Sequence, residues 1–169
     1  AAHNSSKLTS FTKGCAPSGV TLALASLLDG KIVSGSHCGF YSQVDIFEPS
    51  VAFQGDRLVT SMMVPGFLNA MTTFSNGSLL AAASQDRIYI YNGTGSLKAL
   101  LFSNSPVTTL LELTNGSLVA GTQEGAVNVY ALPAVWPQSI VRFSGEVTSL
   151  AALLDGGLAA GTSLGHVYL

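Results

Sequence analysis

Charge is what this sequence has least of. Lys, Arg, Asp and Glu together make up 9% of its 169 residues, against about 25% in an ordinary soluble domain. Seven basic residues spread along the whole length, with a formal net charge of −2, leave no cationic face for a nucleic-acid backbone, so that partner class is excluded. Long apolar runs are missing too. The longest uncharged stretch, 58–85, is broken by Pro65, Gly66, Asn69, Asn76 and Gly77, and no run of about 18 apolar residues is left to cross a bilayer as a helix. Eight Phe, five Tyr and one Trp are not placed as the aromatic girdles of a membrane barrel, and no membrane partner is expected.

Cysteine is scarce. Cys15 and Cys38 are too few for a disulfide framework. Two reduced thiols in an intracellular, cytoplasmic protein are the expectation. The chain opens Ala1-Ala2-His3 with no signal-peptide pattern, as a processed chain or a piece of a longer one does.

Residues for chemistry are also sparse. His3, His37 and His166 stand alone, with no second ligand at metal spacing. Neither a dinucleotide-binding glycine motif nor a phosphate loop occurs. Gly161-Thr-Ser163-Leu-Gly165 spells the pattern of a nucleophile elbow, which needs a strand-to-helix turn, whereas this stretch reads as strand-to-strand. The related stretch Gly121-Thr-Gln-Glu-Gly125 keeps both glycines without the serine, so the glycines belong to a hairpin. No catalytic, cofactor-binding or metal-binding residue is assigned, and no enzyme is expected. Asn4, Asn76, Asn92 and Asn115 satisfy the glycosylation sequon, but turn formation already accounts for Asn76 and Asn115.

What the sequence does have is a repeat. Asp29-Gly30, Asn76-Gly77, Asn115-Gly116 and Asp155-Gly156 each sit between apolar stretches, and their glycines are 47, 39 and 40 residues apart. Asx-Gly between apolar runs is a strong hairpin signal, because Gly takes positive φ without a steric penalty. A strand precedes each turn, and Ser34-Gly35-Ser36, Ala81-Ala82-Ala83, Ala120-Gly121-Thr122 or Ala160-Gly161-Thr162 follows it. Small side chains at one offset in every unit let neighbouring sheets pack closely. A second turn and a further strand complete each unit, at Val44 to Phe47, Ile88 to Tyr91, Val127 to Tyr130 and His166 to Leu169. The second turn of the first unit, at His37-Cys38, reads as carrying a short insertion from Phe40 to Gln43. A period near forty residues of four short strands is that of a propeller blade.

Over essentially its full length the sequence resembles the WD40-repeat family. Ser34-Gly35-Ser36 matches that family's small-residue triplet, and Glu124-Gly125 and Leu164-Gly165 resemble its second turn. Ile46-Phe47-Glu48, Ile90-Tyr91-Asn92 and Val129-Tyr130-Ala131 occupy the Val-Trp-Asp place with other aromatics. No unit keeps Trp-Asp, and none has Gly-His ahead of its first strand, so the family's His-to-Asp network is carried over to no residue. The resemblance implies an all-β fold of four four-stranded blades. These form either a small closed ring or part of a larger propeller, completed in the latter case by a further chain or segment. Blades are drawn at 5–48, 49–92, 93–131 and 132–169, with Ser6 to Lys13 available to close the last one.

It also implies a non-catalytic scaffold that binds another protein or peptide through one loop face. The loops before each first strand and the second-turn loops share that face. Candidate contact residues there are Phe67, Ser84, Arg87, Gln123, Glu124 and Glu146. The alternative is a small-ligand or carbohydrate-binding propeller using a repeated aromatic set, Phe47, Tyr91 and Tyr130.

Overall fold

The computed structural model describes residues 20–27, 29–48, 57–76 and 79–169. These form fifteen antiparallel strands in four sheets, with no helix among the described residues. The first sheet is β1 (Val20–Ser26), β2 (Ile32–His37), β3 (Tyr41–Glu48) and β4 (Arg57–Pro65). The second is β5 (Leu68–Thr73), β6 (Leu79–Ser84), β7 (Arg87–Asn92) and β8 (Leu97–Phe102). The third is β9 (Val107–Glu112), β10 (Leu118–Thr122), β11 (Ala126–Tyr130) and β12 (Ser139–Arg142). The fourth has three strands, β13 (Val147–Ala152), β14 (Leu158–Thr162) and β15 (Val167–Tyr168). Strands pair in chain order within every sheet.

The first turns follow from their Asx residues. Oδ1 of Asp29, Asn115 and Asp155 accepts from the backbone N–H two residues on, at 3.2, 3.0 and 2.9 Å. The glycine between stands at φ 83°, 80° and 85° in Gly30, Gly116 and Gly156, where an L side chain would be strained. Gly77 of the remaining turn lies outside the described residues.

The sheets stack face to face, with inner strands β1, β5, β9 and β13 as successive neighbours. Each interface holds its own core. Val33, Val44, Ile46 and Val64 of the first sheet meet Leu68, Tyr89 and Tyr91 of the second. Ile88, Ile90 and Leu101 meet Leu110, Leu118 and Tyr130 at the next interface, and Val119 and Val127 meet Val147 and Ala160 at the third. The small-residue triplets have the expected role. A Cβ on Gly35 would lie 2.1 Å from Leu68 Cδ2, and one on Gly121 would lie 2.5 Å from Val147 Cγ1. Only the missing side chain lets those sheets approach.

Every inner strand also shifts register once. The shifts lie between Thr21 and Ala23, Leu68 and Ala70, Val107 and Thr109, and Val147 and Ser149. One extra residue is thereby left at the same place in each sheet: Leu22, Asn69, Thr108 and Thr148. A bulge re-aims the residue it carries, and Asn69 and Thr108 use it to reach the next sheet. Asn69 Nδ2 donates to Val107 O at 2.9 Å, and Thr108 Oγ1 donates to Val147 O.

Several sequence expectations are corrected here. Blades drawn at 5–48, 49–92, 93–131 and 132–169 cut the chain one strand early. The strand opening each unit hydrogen-bonds backward, as β4 does to β3 and β8 to β7, so the described sheets span 20–65, 68–102, 107–142 and 147–168. Phe40 to Gln43 is not a loop insertion, because β3 starts at Tyr41 and pairs without a break from Ser42 to Phe47 with β2. The long first spacing comes instead from the eight-residue β3, the nine-residue β4 and segment 49–56, which lies outside the described residues. Cys38 is disulfide-bonded rather than reduced, which removes the cysteine argument for a reducing compartment. Cys15, the chain's other cysteine, and the segment Ser6 to Lys13 lie outside the described residues. Finally, among the described residues β1 and β13 share no extensive contact, so the four described sheets form an open arc, not a small closed ring.

Candidate functional site

The loops entering the inner strands and the second turns meet at one end of the sheets. Backbone hydrogen bonds hold them together: Gln123 N donates to Pro106 O at 2.9 Å, Ser163 N to Glu146 O at 2.8 Å, and Val107 N to Gln85 O at 2.7 Å. Serine hydroxyls reinforce two of these joints, with Ser163 Oγ accepting from Glu146 N at 3.1 Å and Ser105 Oγ from Glu124 N at 3.3 Å. Ser163 therefore sits in a hairpin between β14 and β15, not on a nucleophile elbow.

A cleft of about 520 Å³ opens at this end, lined by Phe67, Leu68, Asn69, Pro106, Thr108, Gln123 and Glu146. It crosses the mouths of the second, third and fourth sheets. Phe67 is 54% exposed, while its ring stacks on His37 at a centroid distance of 3.9 Å and an interplanar angle of 22°. One face of that ring is thus held and the other is presented, as a pre-ordered anchor requires. Asn69 has its amide nitrogen committed to Val107 O, which leaves its Oδ1 to accept. Among the described residues, Glu146 is the one charged side chain in the lining.

The sequence-derived candidates divide unevenly. Phe67, Gln123 and Glu146 come together in the cleft. Arg87 and Glu124 are exposed on the same second-turn loops but do not line it, and Arg87 Nε is 3.9 Å from Asp86 Oδ1. Ser84 is buried, and its hydroxyl donates to Pro65 O at 2.5 Å, so it serves the joint between the first two sheets. Asn69, Pro106 and Thr108 were not singled out from the sequence. A readable signal for two of them is the polar residue after the first apolar one of each inner strand, in Leu68-Asn69, Val107-Thr108 and Val147-Thr148.

The aromatic set in the Trp place does not face this cleft. Phe47, Tyr91 and Tyr130 are all buried between sheets. Tyr91 and Tyr130 keep their hydroxyls satisfied by main-chain carbonyls of the sheet before.

No family model matches the sequence, and no curated protein does. Among solved structures, the WD40 domain of Toxoplasma gondii coronin superposes over 84% of this chain with a TM-score of 0.70, at 17% sequence identity. The fold is that of WD40 propeller blades. At this identity the likeness speaks for architecture alone, and the chain spans 40% of the coronin chain's length. Within the WD40-like arrangement the cleft occupies the end where the inner strands begin, next to where a propeller's axis runs.

Proposed function

We propose that this chain is a non-catalytic interaction scaffold that takes an extended segment of another protein across the cleft at the mouths of its WD40-like blades. The observation that carries the reading is the half-presented Phe67 ring, stacked on His37 and set beside acceptor groups of Asn69, Gln123 and Glu146. An apolar anchor rimmed by hydrogen-bonding groups is how a rigid surface gains both affinity and orientation. The blades supply rigidity, because each cleft residue sits on, or one or two residues from, a strand of a packed sheet.

The carbohydrate or small-ligand reading depended on aromatic walls repeated in each blade. Those aromatics are core residues, so the reading has no stacking platform to work with.

The test is selection of binding peptides from a random displayed library on the 169-residue chain, followed by titration of the enriched sequences. Phe67→Ala should weaken binding about tenfold to a hundredfold, as loss of an anchor worth about 1.5 to 3 kcal/mol does. Glu146→Gln should weaken peptides that carry a cation. Peptides that bind both variants as they bind the parent chain would overturn the placement of the site.

A further inference from the structure

We propose that the two open flanks of the arc bind each other head to tail, so that two copies of this chain close one ring of eight sheets.

The argument rests on positions related by register. Leu24, Met71, Leu110 and Leu150 pair with Ser34, Ala82, Ala120 and Ala160, one residue beyond the bulge pair in each sheet. Met71, Leu110 and Leu150 each pack into the interface with the sheet before. Leu24, at the same place on the first sheet, is 70% exposed. It is a knob with nothing to enter. The outer half of that flank is already closed, since Asp45 and Phe47 are buried, and the open part is the inner strand.

The fourth sheet shows the opposite deficiency. Gly35, Ala83, Gly121 and Gly161 share one register position. The space above Gly35 holds Leu68, and that above Gly121 holds Val147. At Gly161 a Cβ would meet only Ser149 of its own sheet, so no neighbour fills the hollow. Val167 pairs with Gly161 as Val127 pairs with Gly121. Val127 is covered by the next sheet, whereas Val167 is 71% exposed. Thr148 repeats the deficiency in polar form. Its hydroxyl has the in-sheet contact to Gly161 O at 3.3 Å, as Thr108 has to Gly121 O at 3.1 Å, but among the described residues it has no counterpart of the forward bonds that Asn69 and Thr108 make to Val107 O and Val147 O.

The free flanks are therefore complementary. In a second copy, Thr21 holds the register position of Leu68, Val107 and Val147. The Thr21 carbonyl then stands where the Val107 and Val147 carbonyls stand at the interfaces within the chain, as a forward acceptor for the Thr148 hydroxyl. The contact continues the inner-strand half of the three interfaces within each chain. It is heterologous, and two such contacts close when the rotation allows.

The test is the mass of the 169-residue chain in solution by sedimentation equilibrium, with twice 17.4 kDa expected. Leu24→Asp and Gly161→Leu should each give monomers with unchanged far-ultraviolet dichroism and a melting temperature that no longer rises with protein concentration. Mixing these two variants should restore a weaker 1:1 pair, since the intact hollow of one meets the intact knob of the other. A parent chain that stays monomeric at its highest soluble concentration overturns the proposal and would point to further repeats of a longer polypeptide on both flanks. Open polymers overturn ring closure. A dimer that neither substitution weakens, or variants that fail to pair when mixed, overturn the head-to-tail contact.

Discussion

The Tyr130 hydroxyl reaches across a blade interface to donate to the Phe102 carbonyl at 2.9 Å, and one blade earlier Tyr91 reaches Met63 in the same way at 3.4 Å. Both bonds join the third strand of one sheet to the outer strand of the sheet before. A buried hydroxyl must be satisfied, and here its partner is backbone, so the bond constrains how two blades sit. Tyr130→Phe should keep the fold and lose about 1 kcal/mol of stability, read as a lower urea midpoint with an unchanged slope.

Tyr91 also predicts an alkaline limit. Burial pushes its phenol up to about 12, and the nearby Tyr89 adds to the rise. The unfolded chain releases that proton near pH 10. Between those values the unfolded state binds fewer protons than the folded one, so stability falls as pH rises from about 10 through about 12. Below pH 10 the contribution is fully present. Denaturation midpoints across pH 9 to 12 should fall less steeply in Tyr91→Phe than in the parent chain.

The hollow at Gly35 is matched to Leu68, while the corresponding Ala83 shares its core with the smaller Val107. Gly35→Ala forces a Cβ into Leu68 Cδ2 and should cost about 1 to 3 kcal/mol, the range for overpacking. Adding Leu68→Val copies the next interface and should recover most of the loss. Thermal melts of the single and double variants check this, and a double variant no better than Gly35→Ala would refute the pairing.

The disulfide at Cys38 predicts redox-dependent stability. Loss of a native disulfide costs a small domain about 2 to 5 kcal/mol. A reductant should lower the melting temperature of the parent chain and leave Cys38→Ser, already lowered, where it is.

Much of this architecture was legible because it rests on short-range chemistry. Asp29-Gly30, Asn115-Gly116 and Asp155-Gly156 announce their turns by composition, and the side-chain-to-backbone bonds form as that chemistry requires. The triplets around Gly35 and Gly121 were readable as places of close approach. Less was legible where position depends on a partner far along the chain. The outer strand β12 is exposed at all four positions, so nothing in its pattern says which sheet it joins. Ser84 looks like a surface serine, yet Pro65 O, nineteen residues away, draws its hydroxyl inside. Phe67 and Glu146 were recognisable as loop residues. The cleft they share depends on bulges at Asn69 and Thr108, which become visible only when strands are set in register.

Those bulges give the stack a sense of direction. Asn69 and Thr108 both hand a proton donor to the sheet that follows, and Val107 and Val147 both offer a carbonyl to the sheet behind. A row assembled by such a rule has unlike ends, as a magnet has. Reversing or transplanting a single blade would set donor against donor, so units of this protein should be exchangeable only when their order along the chain is preserved.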